Sequence, residues 1–461
     1  GIHALAHRVE VVLPEEAAIF VDGRYTLQVR SQVNANHWSY QSVPETSVAD
    51  WLKEHAPKGG RIGYDPWLHS RDWVKKASES LASRGAELVA VEQNPIDKVW
   101  ADRPEASKAH LAVQPEKYTG RSSADKRQEI ADWLTAQGAD ATVLSALDSI
   151  AWAFNVRGQD VSRTPVALAF ALVRSDGTAD LFINPEKISA EVRQHLGNGV
   201  RLHDRNAFEA ALGELKGQTV AVDPERAVAA IFEALNKAGA KIIPVRDPTI
   251  LPKAIKNAVE IAGQKSAQYR DGAAIARFLR WVEEEAPKGN VDELRASDHL
   301  EALRREDPEL RDLSFDSISG AGPNGAIVHY RSSEKTNRKL EMNSIYLIDS
   351  GGQYLDGTTD ITRTVPTERQ VVVLADQGVT TAVPAPQWNA TLDALRALCA
   401  AHWADGGGPV RVRADGGDDP GHQQERQLGE SGDQGHQTEH RGPGCEVGQP
   451  EHTLAREPPA L

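Results

Sequence analysis

Sulfur is scarce in this 461-residue chain, which has two cysteines, Cys399 and Cys445, and one methionine, Met342. Two cysteines make no disulfide framework, and such sparse use points to a reducing compartment and a cytoplasmic protein. Long apolar runs are missing too. The longest clean one, Val166 to Val173, falls far short of the roughly 20 residues of a membrane span. It reads as a buried strand, and no membrane partner is expected. No charged stretch followed by an apolar core opens the chain, so nothing marks it for secretion. Residue 1 is Gly rather than Met, so a processed chain, a fragment or an incomplete gene model is expected. Excess positive charge is also lacking. The formal net charge is −14, whereas contact with nucleic-acid phosphates needs a basic surface. Nucleic acid is therefore excluded as the main partner.

What is present describes an ordinary globular protein of two or three domains, with 40% hydrophobic and 26% charged residues. Strand and helix signals alternate from residue 1 to about 102 and again from 103 to 252. That alternation predicts two α/β units with mainly parallel or mixed sheets covered by helices. IDKVWADRP, ending at Pro104, is a polar linker between them. From 253 to 370 the pattern turns to α+β. A long helical stretch begins at Lys256-Asn257 and runs to Glu285, and NVDELRASDHLEALRRE forms a second helix. The remainder, 371–461, is rich in Gly, Gln, His and Arg. From Gly406 on it contains no Ile, Phe, Tyr, Trp or Met. Such text cannot bury enough apolar surface to offset chain entropy, and disorder is expected there. His436 and His440 stand four apart in this segment, but their Gly, Pro and Gln flanks make chance spacing the better explanation.

The most informative stretch is SIYLIDSGGQYLDGTTDITRTV, Ser344 to Val365. Ile345, Leu347 and Asp349 alternate with Tyr346 and Ile348, and Asp360, Thr362 and Thr364 alternate with Ile361, Arg363 and Val365. Gly351, Gly352 and Gly357 mark a turn between the two runs. Side chains two apart on a strand share a face, so a hairpin brings Asp349 and Asp360 to the same side. Two carboxylates held together repel unless a proton or a cation lies between them. Hard divalent metals take such oxygen ligands. The plainer alternative is a pair of turn or capping residues. Twenty positions before Asp349 lies His329, at the end of GAGPNGAIVHYR. Alone it reads as a half-buried strand histidine; beside a metal pair it can bind substrate or move a proton.

The segments FDSISGAGPNGAIVHYR and LIDSGGQYLDGTTDITRTV resemble the first half of the "pita-bread" catalytic domain of the aminopeptidase P family, within the creatinase/prolidase/methionine aminopeptidase superfamily. DSIAWAFNVRGQDV, in the second unit, is similar to the middle domain of the longer three-domain members, which separates the chain from creatinase and short prolidases. The resemblance implies two creatinase-N-like α/β domains, the first of them clipped, then part of a metallopeptidase domain. It implies removal of the N-terminal residue from peptides with proline in second place, and two divalent metal ions, usually manganese. It places Asp349 and Asp360 as metal ligands, His329 in a catalytic role at the substrate, and Arg24 of the string DGRY as a substrate contact. It also implies a homodimer. The resemblance stops after Thr367, where the family continues with a further histidine and two glutamates as ligands. The expectation is a family member whose later catalytic half is missing or frameshifted, and whose activity is impaired or lost. A non-catalytic pita-bread binding module is the alternative.

Overall fold

The computed structural model describes residues 9–43 and 45–367, with the strands Gln370–Leu374, Thr380–Pro384 and Arg411–Arg413 beyond them. Most of the expected tail, including His436 and His440, lies outside the described residues. Those three strands pair with one another in a separate small sheet.

In the amino-terminal unit, Val9–Val12 runs antiparallel to Ala17–Val21, which pairs in parallel with Ser39–Ser42. Alternating inward residues of these strands meet Trp51 and Leu52 of the helix Val48–His55 and Leu81 of the helix Arg71–Ala82. Ser47 and Ser70 cap those two helices by accepting from backbone N–H groups of the first turn.

The middle unit is built on a six-stranded mixed sheet. Its centre, Ala141–Leu144, is buried on both sides and pairs in parallel with Thr219–Val222 and antiparallel with Phe170–Arg174. Two apolar clusters cover the two faces, one holding Leu134, Phe154 and Leu181, the other Val220, Ile231 and Leu235. The run Val166 to Val173 is a strand only from Phe170 onward. Its first half bonds instead to the loop before it: Asp160 N–H donates to the Val166 carbonyl at 3.1 Å, and Leu168 N–H donates to the Asp160 carboxylate at 2.7 Å. An apolar run shows burial but not which backbone partners take its hydrogen bonds.

The third unit opens with the helix Ala258–Glu285, whose N-terminus carries a capping box. Asn257 accepts from Val259 and Glu260 N–H, while the Glu260 carboxylate accepts from Asn257 N–H. A second helix, Glu293–Arg305, packs beside it. The two are joined by a buried Arg304–Asp271 ion pair of 2.7 Å, to which Tyr354 adds a hydrogen bond of 2.8 Å to the same carboxylate. Against these helices lies a three-stranded antiparallel sheet, Ile318–Ala321, Ile345–Ser350 and Ile361–Pro366. Tyr346 and Ile348 are fully buried against Phe278, Val282 and Leu300. Burial of side chains of this size is worth roughly 1.5–3 kcal/mol each, enough to fix which face turns inward. The other face, with Ile345, Leu347, Asp349, Thr362 and Thr364, is left facing outward.

Candidate metal and substrate site

The outward face of the hairpin carries the two carboxylates singled out by spacing. Asp349 is directly opposite Thr362 in the antiparallel register, and Asp360 precedes Thr362 by two positions. Asp349 and Asp360 therefore share one face, on a diagonal. The connection between the strands is more elaborate than a simple turn. Gly352–Tyr354 leaves the hairpin to pair with Leu310–Leu313. The crossing at Gly351 is so close that a Cβ there would stand 1.9 Å from the Thr359 carbonyl and 2.3 Å from the Ser314 hydroxyl, so only glycine fits.

Asp349 is held above the ordinary carboxylate range. Burial is the main cause, and the nearby Asp360 carboxylate adds to it, against a hydrogen bond from Thr362 and the attraction of His329. The Oδ1 atom of Asp349 is sealed from solvent and has no hydrogen-bond partner. A buried carboxylate oxygen left unsatisfied beside a like charge has the donor chemistry of a hard-cation ligand, so these residues fit a divalent metal. Among the described residues no group of three or more His, Cys, Asp or Glu side chains converges on one point.

His329 is exposed and adopts a left-handed backbone with φ 55°, an uncommon conformation that His enters more readily than most residues. Two features missed by sequence reasoning hold it there. One is Glu293, which is completely buried. Its carboxylate accepts from Ala321 N–H (2.8 Å), Asn324 Nδ2 (2.9 Å), Tyr330 Oη (2.9 Å) and Arg338 N–H (3.1 Å), and so ties down the loop on both sides of His329. The sequence offers Glu293 only as an acidic residue in the first turn of a helix. The other is the amino-terminal domain. Gln28 Nε2 donates to the carbonyl of Val328 at 2.9 Å, and Tyr25 Oη lies 3.0 Å from His329 Nδ1.

Arg24 does not itself meet His329. Its guanidinium forks onto Asp22, with Nε–Oδ1 2.9 Å and Nη2–Oδ2 2.7 Å, and it is largely exposed. The structure thus gathers Asp349, Asp360 and His329, and brings the DGRY turn to them through the residue after Arg24.

Comparison with known proteins fits this arrangement. Residues 7–99 and 102–260 each match a creatinase/prolidase N-terminal domain, and residues 262–411 match metallopeptidase family M24, which corrects the expectation that the resemblance stops after Thr367. Aminopeptidase P1 of Lotus japonicus is 34% identical over 421 residues, covering 77% of this chain and 63% of the relative. A probable Xaa-Pro aminopeptidase P of Aspergillus flavus is 37% identical over 371 residues, covering 77% and 56%. The X-prolyl aminopeptidase of Caenorhabditis elegans, described as a cytosolic enzyme with a di-nuclear active site, superposes with a TM-score of 0.73 at 30% identity, covering 78% of this chain and 60% of that one. The chain spans about 56–63% of the length of these relatives. Two creatinase/prolidase N-terminal domains thus stand ahead of a metallopeptidase family M24 segment, and the relatives similar to the chain are aminopeptidases P.

Proposed function

We propose that this chain is a metal-dependent aminopeptidase that acts on the N-terminal residue of Xaa-Pro peptides. The observation that carries the reading is the unsatisfied Oδ1 of Asp349 on the same face as Asp360, in reach of His329's field. Asp349 and Asp360 would hold two divalent cations, manganese by resemblance. When bound, such cations supply Lewis acidity, polarising a carbonyl and making water a competent nucleophile near neutral pH. His329 hydrogen-bonds the substrate near the scissile bond, and its strained loop keeps the ring from turning away. Arg24, already oriented by Asp22, offers guanidinium edges to the peptide. A cytoplasmic location and a homodimer are part of the same proposal; no helix among the described residues is long and apolar enough to cross a membrane.

The two carboxylates found among the described residues leave most coordination positions to water, so we expect weak metal affinity and slow turnover. The test is release of arginine from Arg-Pro-Pro by stoichiometric amounts of the chain with manganese. Slow, manganese-dependent release that disappears in Asp360→Asn is the expected result. Release indifferent to metal or to that substitution would refute the assignment. The convergence of two carboxylates, with no third ligand among the described residues, favours one other reading, a binding module that retains the peptide without cutting it. Peptide binding with no release would select it.

A further inference from the structure

We propose that Tyr25 is a positioning residue for His329: its hydroxyl donates to Nδ1 and holds the imidazole in the tautomer that carries its proton on Nε2. The inference rests on the peptidase reading only for the use made of that Nε2–H. The geometry stands without it.

Tyr25 ends a single turn of 3-10 helix, Gly23–Tyr25, capped by Asp22, whose Oδ1 accepts from Arg24 N–H at 2.9 Å. The ring is buried at 4% exposure among Ile19, Val21 and Val29. Those contacts leave the phenol little freedom, so its oxygen is delivered to a fixed point. At that point lies His329 Nδ1, 3.0 Å away, with the two rings edge to face at 5.4 Å and 74°. The histidine is equally constrained. Its backbone is left-handed, and Gln28, one helical turn after Tyr25, donates to the carbonyls of Val328 and His329 at 2.9 and 3.2 Å. Two residues of one short segment thus grip both the main chain and the ring of a residue some three hundred positions away.

The direction of the Tyr25–His329 bond follows from the chemistry of its ends. A phenol is a good donor and a poor acceptor, whereas an unprotonated imidazole nitrogen is a good acceptor. Burial raises Tyr25 further above its ordinary range, so the hydroxyl keeps its proton at any physiological pH. Nδ1 is then the acceptor and Nε2 the protonated nitrogen, since the hydrogen bond at one ring nitrogen sets the state of the other. A neutral Nε2–H is a hydrogen-bond donor. It suits a peptide carbonyl oxygen and is unsuited to accept a proton from an amine. The amino-terminal domain therefore acts on the site through Tyr25 as well as through any contact of Arg24 with the substrate.

Two-bond proton–nitrogen correlation spectra of the full chain, labelled with 15N-histidine and free of metal at pH 8, report the tautomer directly. His329→Gln assigns the resonance. The expected result is an unprotonated, hydrogen-bonded Nδ1 with Nε2 protonated, replaced in Tyr25→Phe by an average of both tautomers. A wild-type His329 protonated on Nδ1 would overturn the proposal, as would a Tyr25→Phe spectrum identical to wild type. Should Tyr25→Phe fail to fold, the wild-type tautomer decides alone. Because neither metal nor turnover is needed, absence of peptide cleavage alongside the expected tautomer would refute the peptidase reading and leave this one standing.

Discussion

Two strand aspartates, Asp180 in the middle unit and Asp349 in the hairpin, meet opposite surroundings. Asp180 is 3% exposed and surrounded by nitrogen donors: the guanidinium groups of Arg174 at 2.7 Å and Arg201 at 2.6 Å, and the His203 ring nitrogen at 2.9 Å. Burial pushes its carboxyl up, but the hydrogen bonds from Arg201, His203 and Arg174 outweigh that and hold it far below the usual range. Asp349 is pushed up by burial and again by Asp360, and one of its oxygens has no partner. The middle unit neutralises its buried acid with its own side chains. The hairpin leaves a negative charge that an outside cation can neutralise. The difference separates a carboxylate that stabilises the fold from one that we propose is kept for binding, a distinction that residue type and strand position alone do not make.

The contrast is most easily broken by Asp180→Asn and Asp349→Asn. The first strands two partly exposed guanidinium groups and an imidazole and is expected to cost about 2–3 kcal/mol in urea unfolding, below the full penalty because those groups keep access to water. The second, measured without metal, removes a repulsion and is expected to change stability by less than about 1 kcal/mol, in the favourable direction. Equal losses would erase the distinction. The two groups also respond oppositely to acid. Asp180, depressed in the folded state, contributes stability at neutral pH that is lost as the pH falls toward its folded value. Asp349, raised in the folded state, lowers stability at neutral pH, and that penalty is relieved as the pH falls.

Glu293 offers a third case, a buried carboxylate satisfied by neutral donors alone. Glu293→Gln turns one acceptor into a donor facing backbone N–H or the Tyr330 hydroxyl. It should cost about 2 kcal/mol in thermal unfolding and loosen the His329 loop, seen as faster amide exchange around Val328–Tyr330. Lys126 gives the smallest effect and the exception within the middle unit. Its ammonium is buried with the Asn155 side-chain oxygen at 2.7 Å and the Trp152 carbonyl at 3.2 Å as acceptors, and burial lowers it to about 8. The unfolded chain keeps this proton up to its ordinary value of 10.5, so stability from this group rises with pH between about 8 and 10.5. From pH 7.5 to 8.5 the gain should be less than about 1 kcal/mol, and absent in Lys126→Met.

Much of this architecture is legible in the amino-acid sequence. The α/β alternation, the long helix after Asn257 and the shared face of Asp349 and Asp360 all follow from local periodicity, because burial of one strand face imposes a period of two. Local pattern does not give the partners across the fold. DGRY draws attention to its charged residue, whereas the phenol beside it reaches His329. Glu293 resembles any acid in a first helical turn. In the first half of the Val166 to Val173 run, Val166, Ala167 and Ala169 are buried as composition implies, yet Leu168 is exposed and the segment bonds to a loop.

We propose that Asp349 and Asp360 form one cation site. Titration of the full chain with manganese, followed by the loss of the free-ion paramagnetic signal, tests it most directly. Wild type should deplete that signal, with Asp349→Asn and Asp360→Asn each weakening the depletion while Asp180→Asn leaves it intact. Equal depletion by wild type and both site variants, or none by wild type, would contradict it.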